Sequence, residues 1–429
     1  LPPKLNWSRP QISKPFAEGF VSVTPAHKFN LKIEPYMHPL SHNYSYKIKL
    51  ISTTQLYPYE KIIISYSRAR SQRIMQSCFF HVLTDTNGDG KGKPIFGSPK
   101  VQVKGGEAKH VRVVIPSIIG ISDRFDVKVV ILDQFGFPCS GYTGTITFSS
   151  NGTIQNLPAS YTFSKNDNSI HIFKDVSFLN KGKFLIRVTD GATNDISNPC
   201  VVTPRIPPYR IYWGDIHWHS NFSDGLRSPS EGYLYAKYVT FLDFTAMTDH
   251  DSLLDFKNLW PTNNLVSQHH YSPGDFITFN AYEWTSPSAL EGGSGHRNVY
   301  FLDDSQPLFS NSSPETATTD LLWSQLEGRD AITIPHHVAE ASISVIDWSS
   351  YNDVLQPLGE IYSGHGSSEY QGGEPPYFFN DGVPGYFIQD ALAMGHKLGF
   401  IASTDSHLTL PGGNDILSGY LGYRHALPA

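Results

Sequence analysis

Six apolar runs between residues 213 and 407 each break off into a polar cluster: Trp213 to His219, Phe241 to His250, Phe276 to Glu283, Ala331 to His337, Leu358 to Ser363 and Leu398 to His407. Between several of them lie amphipathic stretches with helix signals. Ser228-Pro-Ser-Glu-Gly-Tyr-Leu-Tyr-Ala-Lys-Tyr238 places proline in a first turn, and Phe387-Ile-Gln-Asp-Ala-Leu-Ala-Met-Gly395 closes on a glycine cap. Asp320-Leu-Leu-Trp-Ser-Gln-Leu326 carries the same period. Strands alternating with helices predict a parallel sheet, and about seven such units would suit an α/β barrel, where chemistry collects at the strand ends. Because the polar clusters fall there, the chain reads as an enzyme.

The 429 residues are too many for one ordinary core. Residues 1–104 contain alternating runs such as Tyr44-Ser-Tyr-Lys-Ile-Lys-Leu-Ile-Ser52 and Lys61-Ile-Ile-Ile-Ser-Tyr-Ser67, bounded by turn residues, which predict a β-sandwich-like domain. Within it, Asp85-Thr-Asn-Gly-Asp-Gly-Lys-Gly92 opens like a calcium loop, but Phe96 stands where a bidentate glutamate is wanted; the alternative is a Gly-rich hairpin turn. Residues 105–204 predict a second sandwich. There, Asp133 with Gly136 and Pro138, Gly144-Thr-Ile-Thr-Phe148, Phe173 to Phe178, Gly182 and Val188-Thr-Asp190 resemble bacterial immunoglobulin-like domains. Arg205-Ile-Pro-Pro-Tyr209 reads as a stiff linker to a third domain at 208–429.

A net charge of -6 without any basic block excludes a stable nucleic-acid partner, and no apolar run is long enough to span a bilayer. Three cysteines, Cys78, Cys139 and Cys200, allow one bridge at most. A start at Leu1 without methionine suggests a secreted or periplasmic mature chain, although the sequons at Asn6, Asn43, Asn151, Asn221 and Asn311 are too common a pattern to prove it.

The strand ends supply metal-ligand chemistry. His217 and His219 are two apart, so on a strand both imidazoles leave one face, and Asp224 returns a carboxylate where Gly225 lets the chain turn. Asp249 and His250 are adjacent and point opposite ways on a strand; His250 is the expected ligand, with Asp249 orienting a ligand histidine from behind. Glu283 carries a carboxylate able to bridge two ions. His296, His336, His337, and Asp405 with His407 complete the set. Imidazole mixed with carboxylate, and no thiolate, favours Zn, Mn or Fe over Mg or Ca and argues against a closed structural zinc site.

Taken in order, His217-Trp-His219 with Ser223-Asp-Gly225, Thr248-Asp-His250, Glu283, His296, Pro335-His336 and Asp405-Ser-His407 resemble the polymerase and histidinol phosphatase (PHP) superfamily over about 210–410. Gly214-Asp-Ile-His-Trp-His219, Pro335-His-His337 and Gly359-Glu-Ile-Tyr-Ser363 with Gly366-Ser-Ser-Glu369 look closest to a largely uncharacterised branch with β-rich N-terminal regions. The resemblance implies a distorted (β/α)7 barrel behind the immunoglobulin-like modules. It also implies two or three divalent ions: one on His217, His219, Glu283 and Asp405, a second on Glu283, His296 and His336, and a third on Asp224, His250 and His407. His337 competes with His336. Proteins of this branch usually continue past the point where this chain stops, so a truncated barrel is expected.

The chemistry expected of such a cluster is phosphoester hydrolysis of a small molecule by metal-bound hydroxide. Arg297 is a candidate for pairing with a phosphate oxygen, and Glu360 and His365 either touch substrate or cap the barrel. Residues 257–275 and 284–295 read as insertions shaping the pocket. Two alternatives stand beside this: hydrolysis of an amide, lactone or sulfate ester by the same metals, and a secreted binding protein with a structural metal site.

Overall fold

The computed structural model describes residues 8–413 apart from 38–43, 72–74, 76, 81, 90, 96, 98, 206–207, 342 and 378–381. Phe96, Pro207 of the linker and the sequons at Asn6 and Asn43 lie outside the described residues. The chain is rich in strand and divides into two compact units, Leu1–Gly105 and Gly106–Ala429.

In the first unit, Phe29–Met37 pairs antiparallel with Tyr44–Ser52, and Phe20–Thr24 pairs with Ile63–Ser67. The segment that opens like a calcium loop joins the short antiparallel pair Leu83–Thr84 and Lys93–Pro94. Its carboxylates are drawn into their own turn: Asp85 Oδ1 accepts the Gly88 N–H at 2.8 Å, and Asp89 Oδ1 accepts the Lys91 N–H at 2.7 Å. This is the hairpin alternative.

The second unit begins with two four-stranded sheets. One runs Ile154–Gln155, Ile170–Phe178, Phe125–Leu132, His110–Val114; the other runs Ser160–Thr162, Thr145–Ser150, Ile186–Thr189, Asn194–Ile196. Every second residue of Phe125–Leu132 faces inward, so Phe125, Val127, Val129 and Ile131 meet Ile146, Ile186 and Val188 from the other sheet in one apolar core. Cys139 and Cys200 belong to this core as unbridged thiols, each pushed up to about 12 by burial. Contacts of several kinds tie the sandwich to residues 208–413. Trp213 Nε1–H donates to Ser117 Oγ at 2.7 Å, Tyr235 donates to the Gly136 carbonyl at 3.0 Å, and Arg227 lies over the Phe137 ring.

Beyond residue 208 the expectation of a helix-containing (β/α)7 barrel is overturned. Gly214–Asp215, Phe244–Ala246 and Ile277–Thr285 do run parallel. The sheet then continues antiparallel, with His296–Phe301 returning along Ile277–Thr285 and Ala331–Pro335 along His296–Phe301. A separate three-stranded sheet holds Gly366–Ser367, Leu358–Ser363 and Gly399–Ala402, of which only the last two are parallel. These are curled β-rich sheets with short helices, such as Trp260–His270 with 11 residues. The reason is local. A parallel return needs a crossover of a dozen or so residues, usually a helix, but only the short turn Ala289–Glu291 lies between Thr285 and His296. A fully buried strand reads as one apolar run whichever way its neighbour points. The stretch 257–275, read as an insertion, holds the helix Trp260–His270.

Alternation along Ile277–Thr285 sorts its side chains onto two faces. Tyr282 and Trp284 pack into one core with Trp260, Val299, Phe301 and Leu322. Ala281 faces the other way, into an apolar floor with Ile216, Ala246, Ile334 and Ile401. Two residues beyond Ala281 on its strand and face stands Glu283, and two beyond Ile334, just past the end of Ala331–Pro335, stands His336.

Candidate metal centre

Glu283 is 1% exposed and divides its two oxygens. Oε1 lies 2.7 Å from His296 Nδ1 and 3.3 Å from His336 Nε2. Oε2 lies 3.2 Å from His219 Nε2, 3.5 Å from His250 Nδ1 and 3.8 Å from His217 Nε2. Asp405 divides its oxygens in the same way. Its Oδ1 faces His219 Nε2 at 3.1 Å and His217 Nε2 at 3.3 Å, and its Oδ2 faces His365 Nε2 at 3.3 Å. Asp224 closes the cluster, with Oδ2 at 3.2 Å from His407 Nε2 and 3.5 Å from His250 Nε2.

All ten residues expected as ligands are therefore brought together. They fall into overlapping groups whose donor atoms lie within 4.8 Å of one another and could hold a metal ion: His219, Asp224, His250, His407; Glu283, His296, His336, His337; His217, His219, Glu283; and His337, His365, Asp405. His336 and His337 both reach the Glu283 and His296 group, so the choice between them is not exclusive.

The route by which they converge differs from the strand geometry expected. His217 and His219 follow the two-residue strand Gly214–Asp215 and are held by an isolated parallel bridge between Trp218 and Ser406. Asp405 is not extended: its φ of 51° lies in the left-handed region, a conformation that costs about 1–3 kcal/mol and gathers at functional sites. The Asp405 N–H bonds the His217 carbonyl at 2.8 Å, which holds the turned residue against the two histidines. Gly225 is required by close approach, since a Cβ there would lie 2.3 Å from the His219 carbonyl oxygen.

Behind the cluster stand partners that orient it. Glu360 accepts from His217 Nδ1 at 3.1 Å, leaving Nε2 to face Glu283 and Asp405. Thr285 Oγ1 is 2.8 Å from His250 Nδ1. Sequence reasoning missed Glu340, whose Oε2 is 2.7 Å from His365 Nδ1, and Asp215, which accepts from Thr404 Oγ1 at 2.6 Å and from the Gly412 N–H. Glu340 is a lone carboxylate between Ala339 and Ala341, an isolated acid in an apolar stretch; Asp215 precedes His217 by two residues on the same period.

Two of the proposed catalytic residues take other places. Asp249 does not bond a histidine. It is fully buried and accepts from the backbone and hydroxyl groups of Ser220 and Ser223, bracing the turn that carries Asp224. Arg297 is fully buried too, donating to Gln356 Oε1 at 2.8 Å and the Ser294 carbonyl at 2.6 Å over the Trp323 ring. It follows His296 on a strand and so leaves by the opposite face. Burial brings its guanidinium down to about 9.

Among the described residues, Asp224, Glu283, Glu340, Glu360 and Asp405 form ion pairs only with histidines. Burial opposes ionising the carboxylates, yet neighbouring imidazoles, His250 with hydrogen bonds from His217 and His219 for Glu283, His407 and His250 for Asp224, and His217 and His365 for Asp405, hold all three well below the usual carboxylate range. Conversely, burial lowers the imidazoles but the carboxylates outweigh it, raising His219 and His250 to about 9 and His407 to about 10. His336, buried next to His217, falls to about 3 and stays neutral. Both ring nitrogens of His336, Nε2 of His217, Nδ1 of His296 and Oε1 of Glu283 are buried and, close as some of them lie to one another, are not aligned for a hydrogen bond. Buried imidazole nitrogens and carboxylate oxygens gathered in this way fit divalent cations.

Residues 237–343 match a family described as a protein of unknown function (DUF3604), a span that includes His250, Glu283, His296, His336 and His337. An uncharacterised protein of Chlamydia muridarum is 23% identical over 328 residues, covering 73% of this chain and 52% of that protein. One of Chlamydia pneumoniae is 21% identical over 298 residues, 68% of this chain and 46% of its own length. The chain thus spans about half the length of the curated relatives it matches. Among solved structures, a beta-glycosidase from Bacteroides vulgatus superposes with a TM-score of only 0.18 at 13% identity, over 40% of this chain and 25% of that one, too loosely to indicate a shared fold.

Proposed function

We propose that the chain is a metal-dependent hydrolase, and within that class a phosphoesterase, with its ions in the carboxylate–imidazole cluster around Glu283 and Asp405. The observation that carries this reading is the division of the Glu283 oxygens between separate sets of imidazoles, the arrangement of a carboxylate shared by two cations. The PHP resemblance distributes the ligands as His217, His219, Glu283 and Asp405; Glu283, His296 and His336; and Asp224, His250 and His407. It enters at the level of these ligands and not of the barrel. Two or three bound divalent ions would lower the pKa of a shared water and neutralise charge on phosphoryl oxygens.

The protein's own part is to hold and orient. Glu360 fixes the His217 tautomer by taking its Nδ1–H, and Thr285 does the same for His250. Side-chain exposure rises from 0% at His217, His219 and His336 to 19% at His250, 26% at His407 and 33% at Asp224, so substrate approaches from the Asp224 and His407 side. With Arg297 turned away, substrate charge falls to the ions.

The test is hydrolysis of an aryl phosphomonoester and the matching diester, with Mn or Zn and again after chelation, beside His217→Ala. Chelator-sensitive release lost in the variant is expected. A metal-loaded protein that cleaves neither ester would move the reading to another scissile bond.

A further inference from the structure

We infer that the cluster contains a further position for a divalent cation, held by His337, His365 and the Oδ2 oxygen of Asp405, distinct from the three positions centred on His217, His296 and His407. The inference rests on reading the cluster as a metal centre. His365 repeats the construction of His217. Each presents Nδ1 to a buried carboxylate, Glu340 Oε2 at 2.7 Å for His365 and Glu360 at 3.1 Å for His217, and each turns Nε2 to Asp405 at 3.3 Å. A carboxylate behind an imidazole whose other nitrogen faces a shared carboxylate is the usual outer support of a metal ligand.

His337 supplies the third donor. It is 3% exposed, its Nδ1 has no hydrogen-bond partner, and its ring centroid is 4.7 Å from that of His365. A φ of 32° and a ring at 89° to that of His336 separate it from its neighbour, and its donor lies within 4.8 Å of those of His365 and Asp405.

Flanking His365 are two carboxylates, Glu340 and Asp405, which repel an anion and favour a cation. Two imidazole nitrogens and one carboxylate oxygen suit Zn, Mn or Fe and leave a position open. Glu340 is fully buried, and its Oε1 is without a partner.

Metal content per chain, measured by mass spectrometry on the full chain loaded with Mn or Zn and desalted, tests this in the unsubstituted protein, His365→Ala, Asp224→Ala and the double variant. One equivalent lost in His365→Ala, a different one in Asp224→Ala and both in the double variant are expected. Competition with a chelator in Glu340→Gln, which keeps the side-chain volume, should show one equivalent weakened by about 10–100-fold. Full metal content in a folded His365→Ala, with or without reduced turnover, overturns the position while leaving the metal centre standing, as does an unaltered chelator titration in Glu340→Gln. An unsubstituted protein that takes up no metal overturns the metal reading itself.

Discussion

Within the second unit two interiors are buried to the same degree and filled with opposite chemistry. The sandwich of residues 106–204 is closed by Val127, Val129, Ile131, Ile146 and Ile186, each 0% exposed. The centre of residues 208–413 is closed by His217, His219, Glu283, His336, Glu360 and Asp405, none more than 3% exposed. Removing an aliphatic side chain from water is favourable in itself, whereas removing a carboxylate is costly unless a cation or a proton-bearing group compensates. The sandwich core explains its own burial; the charged centre is compensated by its own imidazoles and has groups that could hold a metal ion. That contrast orders the tests.

The largest expected effect is at the charged centre. His217→Ala removes a donor facing both Glu283 and Asp405, and metal-dependent turnover should fall by at least roughly 100-fold, the upper end of what losing even a ligand's supporting partner costs. Circular dichroism should show the fold retained. In the sandwich, Ile131→Ala should cost about 2–5 kcal/mol in denaturant unfolding, equally with and without chelator. A chelator-dependent cost there would break the comparison.

The next effect is the response to pH in the chelated protein. His219 and His250 at about 9 and His407 at about 10 lie above their unfolded value of about 6.5, so their contribution to stability is full below that value and is lost as pH rises through 9 to 10. The lowered carboxylates of Asp224, Glu283 and Asp405 contribute fully above about 4 and lose that contribution as pH falls through their folded values. Melting of the chelated protein should therefore drop between about pH 6.5 and 10. Since metal displaces the imidazole protons, the rise in melting temperature on adding Mn should be larger at the higher pH. Parallel profiles with and without chelator would count against charge compensation by the imidazoles.

Smaller effects sharpen the roles of supporting residues. Glu360→Gln should weaken metal affinity by about 10–100-fold, read by chelator competition. Arg297→Met leaves Gln356 and the Ser294 carbonyl without their donor and should cost about 1–3 kcal/mol of stability. Its KM for a phosphoester should stay unchanged; a large rise in KM would return Arg297 to the substrate.

The residues that gather in the cluster were legible in the sequence because spacing and residue type carry ligand chemistry wherever the backbone goes. His217 and His219, two apart, and Glu283, at the end of an apolar run, announced themselves this way. Sheet direction was not legible. Phe276 to Glu283 is buried or half-buried along its length and mostly apolar, which fits a parallel or an antiparallel neighbour, and nothing in 286–295 names the short turn that brings His296 back antiparallel. Arg297 was misassigned because adjacency to a ligand in sequence means opposite faces on a strand, the same reasoning that separated Asp249 from His250. Glu340 escaped notice since its role depends on His365, 25 residues away in the chain.

The most direct test of the charged centre is the metal content of the purified full chain after exposure to Mn or Zn and desalting, compared with Glu283→Gln. Two or more equivalents per chain, reduced in the variant whose shared carboxylate is gone, is the expected result. A folded chain that takes up no divalent ion at neutral pH would contradict the assignment of this cluster as a metal centre.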